Sequence, residues 1–517
     1  MFLGVSSMLR RTVQTRANDV ATVYEDRQQT WAELYDKTAR LAGGLKKLGL
    51  NADERIALIV NNSDRYLEIA LASAWAGAVV TPLNGRWSVP ELLDSMQDST
   101  PLVLMIDDAN LENGLKVAEE YKKAGHKLTL IYSGDSECPE GFEDYVALSN
   151  SAPVDDAGRM GDELWTIFYT GGTTGRSKGV MLSHTNIMAS SLTRMAEGHF
   201  GERGIYINML PTFHLSSYWP YMACVCSGAK NICLPGFVPE DVLAAIQKYK
   251  VTEMLLVPTM VQMLIEHPEF SKYDTSTMTH IIYGAAPITE ALVDRAIKAF
   301  PSADFVQAYG MTELSPLATT LQFEHLHEEG RRLGRNRSVG RASFGVEVEI
   351  VDPEDNPVPR GTVGEIKARG PNRMLGYWSR TKQTKAAIID GWMHTGDGGY
   401  MDEDGFVTMV DRIKDMIISG GENIYSVEVE NCVSQHPAVA QCAVIGVPDE
   451  KWGERVHACV ILHPDATATE QEIIDHCRSL IAHYKCPRSV VYLKEFPLSG
   501  AGKVLKRELR KEHATNK

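Results

Sequence analysis

The sequence predicts a multidomain α/β protein, and three observations carry that expectation. The chain has 517 residues, too many for one hydrophobic core, so several domains or subdomains are needed. The first 130 or so residues alternate helix-like with strand-like patterns, the mark of a parallel sheet covered by helices. From about residue 335 the pattern changes to short period-two strands between Gly, Pro and Asp turns, and a terminal unit of about 100 residues follows.

Each element has its own signal. Thr30 and Glu33 form a capping-box pair. Leu34, Leu41, Leu45 and Leu48 then mark one helical face, which Gly49 stops. The run Ile56 to Val60 reads as a strand, followed by an apolar helix from about Arg65 to Trp75 and a strand from Ala78 to Pro82. Leu102 to Ile106 and Leu128 to Ile131 repeat the rhythm. Leu164 to Phe168 is a short apolar run that reads as a buried strand. From the glycine-rich segment after it, a second α/β stretch is expected to run to about residue 315. Its strands are Met254 to Val257, His280 to Tyr283 and Asp304 to Gln307, with a helix from Glu290 to Phe300. Val346, Val348 and Ile350 alternate, and Gly364 to Ala368 and Gly405 to Val410 complete a small antiparallel β unit. Beyond the charged stretch Asp411-Arg412-Ile413-Lys414-Asp415, strands are expected near 442–447, 456–462 and 489–494, and helices near 426–435 and 470–482.

Composition narrows the classes. A formal net charge of −15 argues against a nucleic-acid surface, yet leaves room for local cations that hold a small anion. The nine cysteines are scattered, with one CxC pair at Cys224 and Cys226 and no CxxC motif. That spacing points to a reducing compartment and no structural metal. The first sixteen residues are too weakly apolar for a signal peptide, and no apolar run of about 18 residues is present. A cytoplasmic location is the expectation.

The richest segment is Tyr169 to Gly179, YTGGTTGRSKG. Glycines turn backbone N–H groups toward a guest, threonine hydroxyls add donors, and Lys178 adds a positive charge, a combination suited to polyphosphate. An ordinary Gly/Thr-rich surface turn is the plainer alternative. The segment is not a P-loop, because the GxxxxGK[ST] spacing is absent. Further along, PTFHLSS (211–217) sets His214 among apolar neighbours, where a lone histidine is more often a satisfied core or loop residue than a catalyst. GAAP (284–287) is a small-residue turn after a strand, where backbone can approach a ligand or simply turn. In QAYGMTE (307–313), Tyr309 offers a ring for a base and Glu313 a carboxylate for Mg2+. HTGD (394–397) presents a carboxylate suited to ribose hydroxyls. Arg412 lies in DRIKD, and Lys503, in SGAGKVLKR, reads by itself as part of a solvated basic tail.

Taken in order over essentially the whole chain, these segments resemble the signature segments of the adenylate-forming superfamily. That superfamily includes acyl- and aryl-CoA synthetases, nonribosomal peptide adenylation domains and luciferases. The resemblance implies a large N-terminal AMP-binding domain, residues 1–411, and a small mobile α+β C-terminal domain, residues 415–517, with a hinge near 412–414. The N-terminal domain would comprise two doubly wound α/β subdomains to about 315 and a small β-barrel-like subdomain at about 335–411. The implied reaction is attack of a carboxylic acid on the α-phosphate of Mg–ATP, then attack of the CoA thiol on the acyl-adenylate.

The resemblance also distributes roles. Thr170, Gly171, Gly172, Thr173, Thr174, Gly175 and Lys178 would hold the β- and γ-phosphates, and Glu313 the Mg2+. Gly284, Ala285, Ala286 and Tyr309, with Gly310 and Met311, would surround the adenine. Asp397 and Arg412 would hold the ribose, and Thr312 the α-phosphate. Lys503 would be the catalytic lysine, Lys414 the hinge, and Gly420 with Gly421 the lining of the CoA channel. Three positions depart from the family pattern: Gly171 stands where serine is frequent, Ser177 where proline is usual, and Ala501 where a hydroxyl is common. A fourth separates subfamilies. Amino-acid-activating members place an aspartate where this chain has His214, and a buried ammonium without a carboxylate is costly. His214 instead resembles the gate between acyl pocket and CoA tunnel in acyl- and aryl-CoA synthetases, so it joins Lys503 and Thr312 among the expected catalytic residues. His214, Leu215, Tyr218, Trp219 and Ala308 are expected to wall a bounded pocket for a medium-chain fatty or aryl acid. The partners are then the acid, ATP and CoA, with a homodimer left open, and the alternative acceptor is a carrier-protein thiol.

Overall fold

Two large mixed sheets and two small ones organise the chain. The structure is a computed structural model that describes residues 4–170, 177–201, 203–286, 288–412, 415–420, 422–498 and 504–513, with the backbone alone at Arg412 and Asn423.

The eight-stranded sheet runs Gly376–Tyr377, Lys178–Ser183, Leu164–Thr170, Val79–Pro82, Arg55–Ile59, Val103–Ile106, Thr129–Tyr132 and Glu143–Asp144. It is parallel from Leu164–Thr170 onward and antiparallel at the other edge. The nine-stranded sheet runs Arg341–Ala342, Thr319–Leu321, Asp304–Tyr309, His280–Gly284, Glu253–Leu256, Ile205–Asn208, Lys230–Cys233, Val20–Tyr24 and Arg27–Thr30. Its six central strands are parallel, as buried strands fed by helical crossovers should be.

This partition differs from the sequence expectation. Lys178–Ser183, at the end of the glycine-rich segment, belongs with the strands of the first 130 residues and not with the second stretch, and Leu164–Thr170 joins the same sheet. Conversely, Val20–Tyr24 and Arg27–Thr30 join the later sheet. Thr166 pairs in register with Val80 and its hydroxyl donates to the Val80 carbonyl at 3.0 Å. Asn231 donates to the Ala21 carbonyl at 3.2 Å. Strands buried on both faces carry near-uniform apolar runs, which mark a strand without saying which sheet receives it.

Local signals account for single elements. The helix Trp31–Lys47 has a complete capping box, with Thr30 N–H donating to Glu33 at 2.7 Å and Glu33 N–H to Thr30 at 3.3 Å. Leu34, Leu41 and Leu45 are its buried face. A helix over Val5–Arg16 had no such signal, because its buried positions include Ser6 and Thr12 beside Val5 and Leu9. Thr12 donates to the Val225 carbonyl at 2.6 Å, so its polarity is satisfied in the core.

The third sheet is antiparallel: Glu347–Val351, Gly364–Arg369, Trp392–Met401 and Ile388–Ile389, with Val407–Arg412 on the long central strand. The last sheet comprises Glu422–Ile424, Ile417–Ser419, Gly453–Leu462 and Val439–Asp449, with Ser489–Tyr492 parallel to Gly453–Leu462. Helices Ser426–Val433, Glu470–Leu480 and Lys506–His513 accompany it. Among the described residues, no helix is long and apolar enough to cross a membrane.

Candidate active site

The two ends of the glycine-rich segment lie on paired strands. Leu164–Thr170 and Lys178–Ser183 pair antiparallel, and Thr170 opposite Lys178 closes the ladder. Gly171, Gly172, Thr173, Thr174 and Gly175 lie outside the described residues. The Lys178 ammonium sits 4.9 Å from the centroid of the Tyr377 ring, a cation–π contact. The Tyr377 hydroxyl donates to a Glu313 carboxylate oxygen at 2.8 Å. Burial, then the Glu313 charge, push the Tyr377 hydroxyl well above its ordinary range, so it stays a donor. Lysine, ring and carboxylate therefore form one line: a cation and a buried anion held apart by an aromatic spacer.

Tyr377 was not singled out in the sequence. It reaches this place because Gly376–Tyr377 adds an edge strand to Lys178–Ser183, with Tyr377 opposite Val180. The Met374 N–H donates to the Glu313 carbonyl at 2.8 Å and fixes the two segments together. The only local hint is a glycine followed by two aromatics in a loop-like stretch, which is too common to use. Asp98 was missed in the same way. It accepts from the Tyr169 hydroxyl at 2.9 Å and pairs with Arg380 at 2.9 Å, and its carbonyl accepts from the Trp378 indole at 2.9 Å. Tyr169 is thereby turned into packing.

A second group gathers at the carboxyl ends of two parallel strands, His280–Gly284 and Asp304–Tyr309, where α/β sheets bind ligands. Gly284 faces Ala308, and a Cβ on Gly284 would lie 2.1 Å from the Ala308 carbonyl oxygen. A Cβ on Gly310 would lie 2.0 Å from the Pro316 carbonyl oxygen. Backbone crowding thus demands both glycines. Ala285 follows with φ +66° and is exposed, and Ala286 is half-buried. The Tyr309 hydroxyl donates to Asp397 at 2.8 Å in a buried contact. Asp397 is oriented by its own N–H, which donates to the Thr395 hydroxyl at 3.1 Å, and it lies opposite Arg412 in the strand ladder. Met311 precedes a short 3-10 turn, Thr312–Leu314, which carries half-exposed Thr312 and buried Glu313. The turn links the two groups: Tyr309 to Asp397, and Glu313 to Tyr377 and Lys178.

The expected acyl-pocket residues do not share one wall. His214 is the N-cap of the helix Leu215–Ser227. Leu215 and Tyr218 face one core, where Tyr218 packs against Tyr66, Trp165 and Phe168 at 5.3–5.8 Å between ring centroids. Trp219 faces another cluster with Phe200 and Ala223, against which Ala308 packs. Neighbouring residues on a helix point about 100° apart, and here Tyr218 and Trp219 pack into different clusters. Of the five, Trp219 and Ala308 come together. In the C-terminal unit, Gly420 turns a hairpin beneath the Trp452 ring. Lys503, Lys414 and Gly421 lie outside the described residues, as does the Arg412 side chain.

Buried Glu313 supplies the oxygen donor that a hard cation prefers. Lys178, the Tyr309–Asp397 pair and the crowded turns offer a cation, an aromatic face, a ribose-sized acceptor and close backbone. These donors fit a nucleoside polyphosphate with its metal.

Comparisons with known proteins agree with this chemistry. The family model for the AMP-binding enzyme matches residues 9–378, and that for the AMP-binding enzyme C-terminal domain matches residues 428–503. A feruloyl-CoA synthase of Amycolatopsis sp is 36% identical over 511 residues, which cover 98% of this chain and 99% of the relative. A fatty acid–[acyl-carrier-protein] ligase, ScoC, of Streptomyces coeruleorubidus is 33% identical, with 95% and 92% covered. The crystal structure of ATP-bound MatB from Rhodopseudomonas palustris superposes with a TM-score of 0.88 at 30% identity, covering 98% of this chain and 99% of that one.

Proposed function

The chain belongs to the AMP-binding enzyme family of adenylate-forming proteins, and from that premise we propose that it joins an aryl or medium-chain carboxylic acid to coenzyme A. It is an ATP-dependent, AMP-forming acid–thiol ligase that works through an acyl-adenylate. The observation that carries the assignment of parts is the connected line Lys178, Tyr377, Glu313, one short turn away from the Tyr309–Asp397 pair.

The geometry divides the labour. Lys178, opposite Thr170 on the paired strands, draws in the β- and γ-phosphates. Glu313 would hold Mg2+, which when bound neutralises phosphate charge that would otherwise repel a carboxylate. Tyr309 offers its ring to adenine while its hydroxyl orients Asp397 toward the ribose. Thr312, between the two groups, would bond the α-phosphate. The acid oxygen attacks that phosphorus and pyrophosphate leaves; Lys503 stabilises the charge that builds there. The CoA thiol then attacks the acyl carbon and AMP leaves. His214, at the head of its helix, stands for the gate between acid and thiol. Trp219 and Ala308, which pack in one cluster, support a bounded apolar site, and a feruloyl-CoA synthase relative favours an aromatic acid within it.

The test is direct. The purified full chain, given Mg2+, ATP, free CoA and a panel of hydroxycinnamic, benzoic and medium-chain acids, is expected to yield AMP and acyl-CoA in equal amounts. Pyrophosphate release with CoA left untouched transfers the acceptor role to a carrier-protein thiol, the reading that the ScoC relative favours. No AMP with any acid overturns the ligase.

A further inference from the structure

We propose that His457, Cys459 and His513 form a binding site for one Zn2+ ion in the C-terminal unit, with three protein ligands and one open position. The site is separate from the ATP chemistry and does not rest on it.

The strand Gly453–Leu462 and the helix Lys506–His513 build it. His457 and Cys459 are two apart on the strand and so point to the same face, while Val456, Ala458 and Val460 point into the opposite core. Leu509 and His513 are four apart and share one face of the helix. Leu509 docks in the cluster that contains Cys459, which brings His513 over the strand. Donor atoms of all three residues then lie within 4.8 Å of one another, and all three side chains are buried. With Zn–N near 2.0–2.1 Å and Zn–S near 2.3 Å, a tetrahedral site separates its donors by roughly 3.3–3.8 Å. Small side-chain rotations cover the difference.

A second observation sets this cluster apart from ordinary packing. His457 and His513 are each 8% exposed, and the Nε2 atom of each is buried with no hydrogen-bond partner. Their ring centroids are 5.1 Å apart. Two desolvated imidazole nitrogens without partners are costly unless something binds them. The other nitrogen of His457 is held: Nδ1 lies 2.7 Å from the Ser489 hydroxyl on the adjacent strand. A metal-bound histidine is normally fixed through its far nitrogen in this way, leaving Nε2 for the ion. Two imidazoles and a thiolate are a borderline-soft donor set that suits Zn2+ over Mg2+ or Ca2+. A second grouping, His199, Glu253 and His280, has comparable spacing. There the Arg194 guanidinium acts on both His199 and Glu253 and already supplies the positive charge.

The ion would tie the terminal helix to the central strand of its sheet, and that helix begins three residues after Lys503. The experiment uses the full chain carrying a tag without histidines, stripped with a chelator and then dialysed against Zn2+ or titrated with Co2+. One equivalent of Zn2+ per chain by elemental analysis, and a thiolate-to-Co2+ charge-transfer band, are expected. Cys459→Ser should abolish that band, and His513→Gln should weaken Zn2+ binding at least tenfold, whereas His280→Gln should change neither. Both substitutions are compared with the stripped wild-type protein by circular dichroism, and His513→Gln, near the end of the helix, serves if Cys459→Ser unfolds. Absence of stoichiometric Zn2+ in the wild-type chain overturns the site. So does undiminished binding in folded His513→Gln, or loss of binding in His280→Gln alone.

Discussion

Tyr377 illustrates how much one side chain settles at this site. Its ring carries the Lys178 ammonium and its hydroxyl holds the Glu313 carboxylate, so it stands between the cation proposed for phosphate and the anion proposed for the metal. Tyr377→Phe keeps the ring and removes the hydrogen bond. Hydrogen bonds to a charged group are worth about 1.5–3 kcal/mol. We therefore expect ATP–pyrophosphate exchange to fall about tenfold or more, with a raised requirement for Mg2+. The Mg2+ dependence separates positioning from a merely structural role, because a packing defect would not move it. Unchanged exchange and unchanged Mg2+ dependence would remove Tyr377 from the phosphate site. The glycines at 284 and 310 carry a different lesson. In the sequence they look like ligand-approach positions, and in the fold the nearest constraint on each is another backbone carbonyl.

At the scale of elements, the helix Val5–Arg16 shows what a weak pattern can conceal. Its first N–H donates to Nδ1 of His184 at 3.4 Å, at the start of the helix His184–Ala196. His184 is buried and stacks on Trp165 with centroids 5.6 Å apart. Burial, then the nearby Arg159 charge, lower its pKa to about 4. In the unfolded chain the group titrates near its ordinary value of about 6.5, so between these values the unfolded state binds the extra proton. Stability supported by neutral His184 is therefore intact above about pH 6.5 and is lost as pH falls toward 4. Between pH 7 and 5 the loss from this one group is about 2 kcal/mol. Urea unfolding of the wild type and of His184→Gln at both pH values checks this. The variant should be less stable at pH 7 yet lose less on acidification, and an identical pH dependence would refute the linkage. The helix Leu215–Ser227 makes the complementary point, since its apolar residues are legible as buried while the two cores they serve are not.

Across the whole molecule, one charged junction ties the third sheet to the C-terminal unit. Asp411, near the end of Val407–Arg412, accepts from the Ser426 N–H at 2.5 Å. Lys506 donates to the Ser426 hydroxyl at 2.5 Å and pairs with Glu430 at 2.7 Å. Burial raises the Glu430 pKa; for Lys506 burial acts downward, but Glu430 and Asp411 hold it above its ordinary value. Removing one partner of this half-buried pair leaves a charge without its counter-ion, which costs about 1–3 kcal/mol. Lys506→Met should lower the unfolding midpoint of the C-terminal unit accordingly, and adding Glu430→Gln should restore most of it. If the double variant is as unstable as the single one, the pair is not what holds the junction. Individual strands and helices were legible because each is a short apolar or amphipathic run ended by a turn residue. The order of motifs likewise placed the chain in its family, since Lys178, Tyr309, Glu313 and Asp397 are chemistry-bearing residues at readable spacings. The sequence by itself thus determined the class of fold, the family and the reaction, and it singled out several candidates for the phosphate and nucleoside contacts. Only the tertiary structure decided which strands share a sheet, that Tyr377 spans Lys178 and Glu313, that Tyr218 and Trp219 face apart, and that His513 meets His457 and Cys459. The reason is physical: periodicity and local composition specify an element and its buried face. Contacts between residues far apart in the chain depend on which buried faces meet, and that is fixed when the elements pack together.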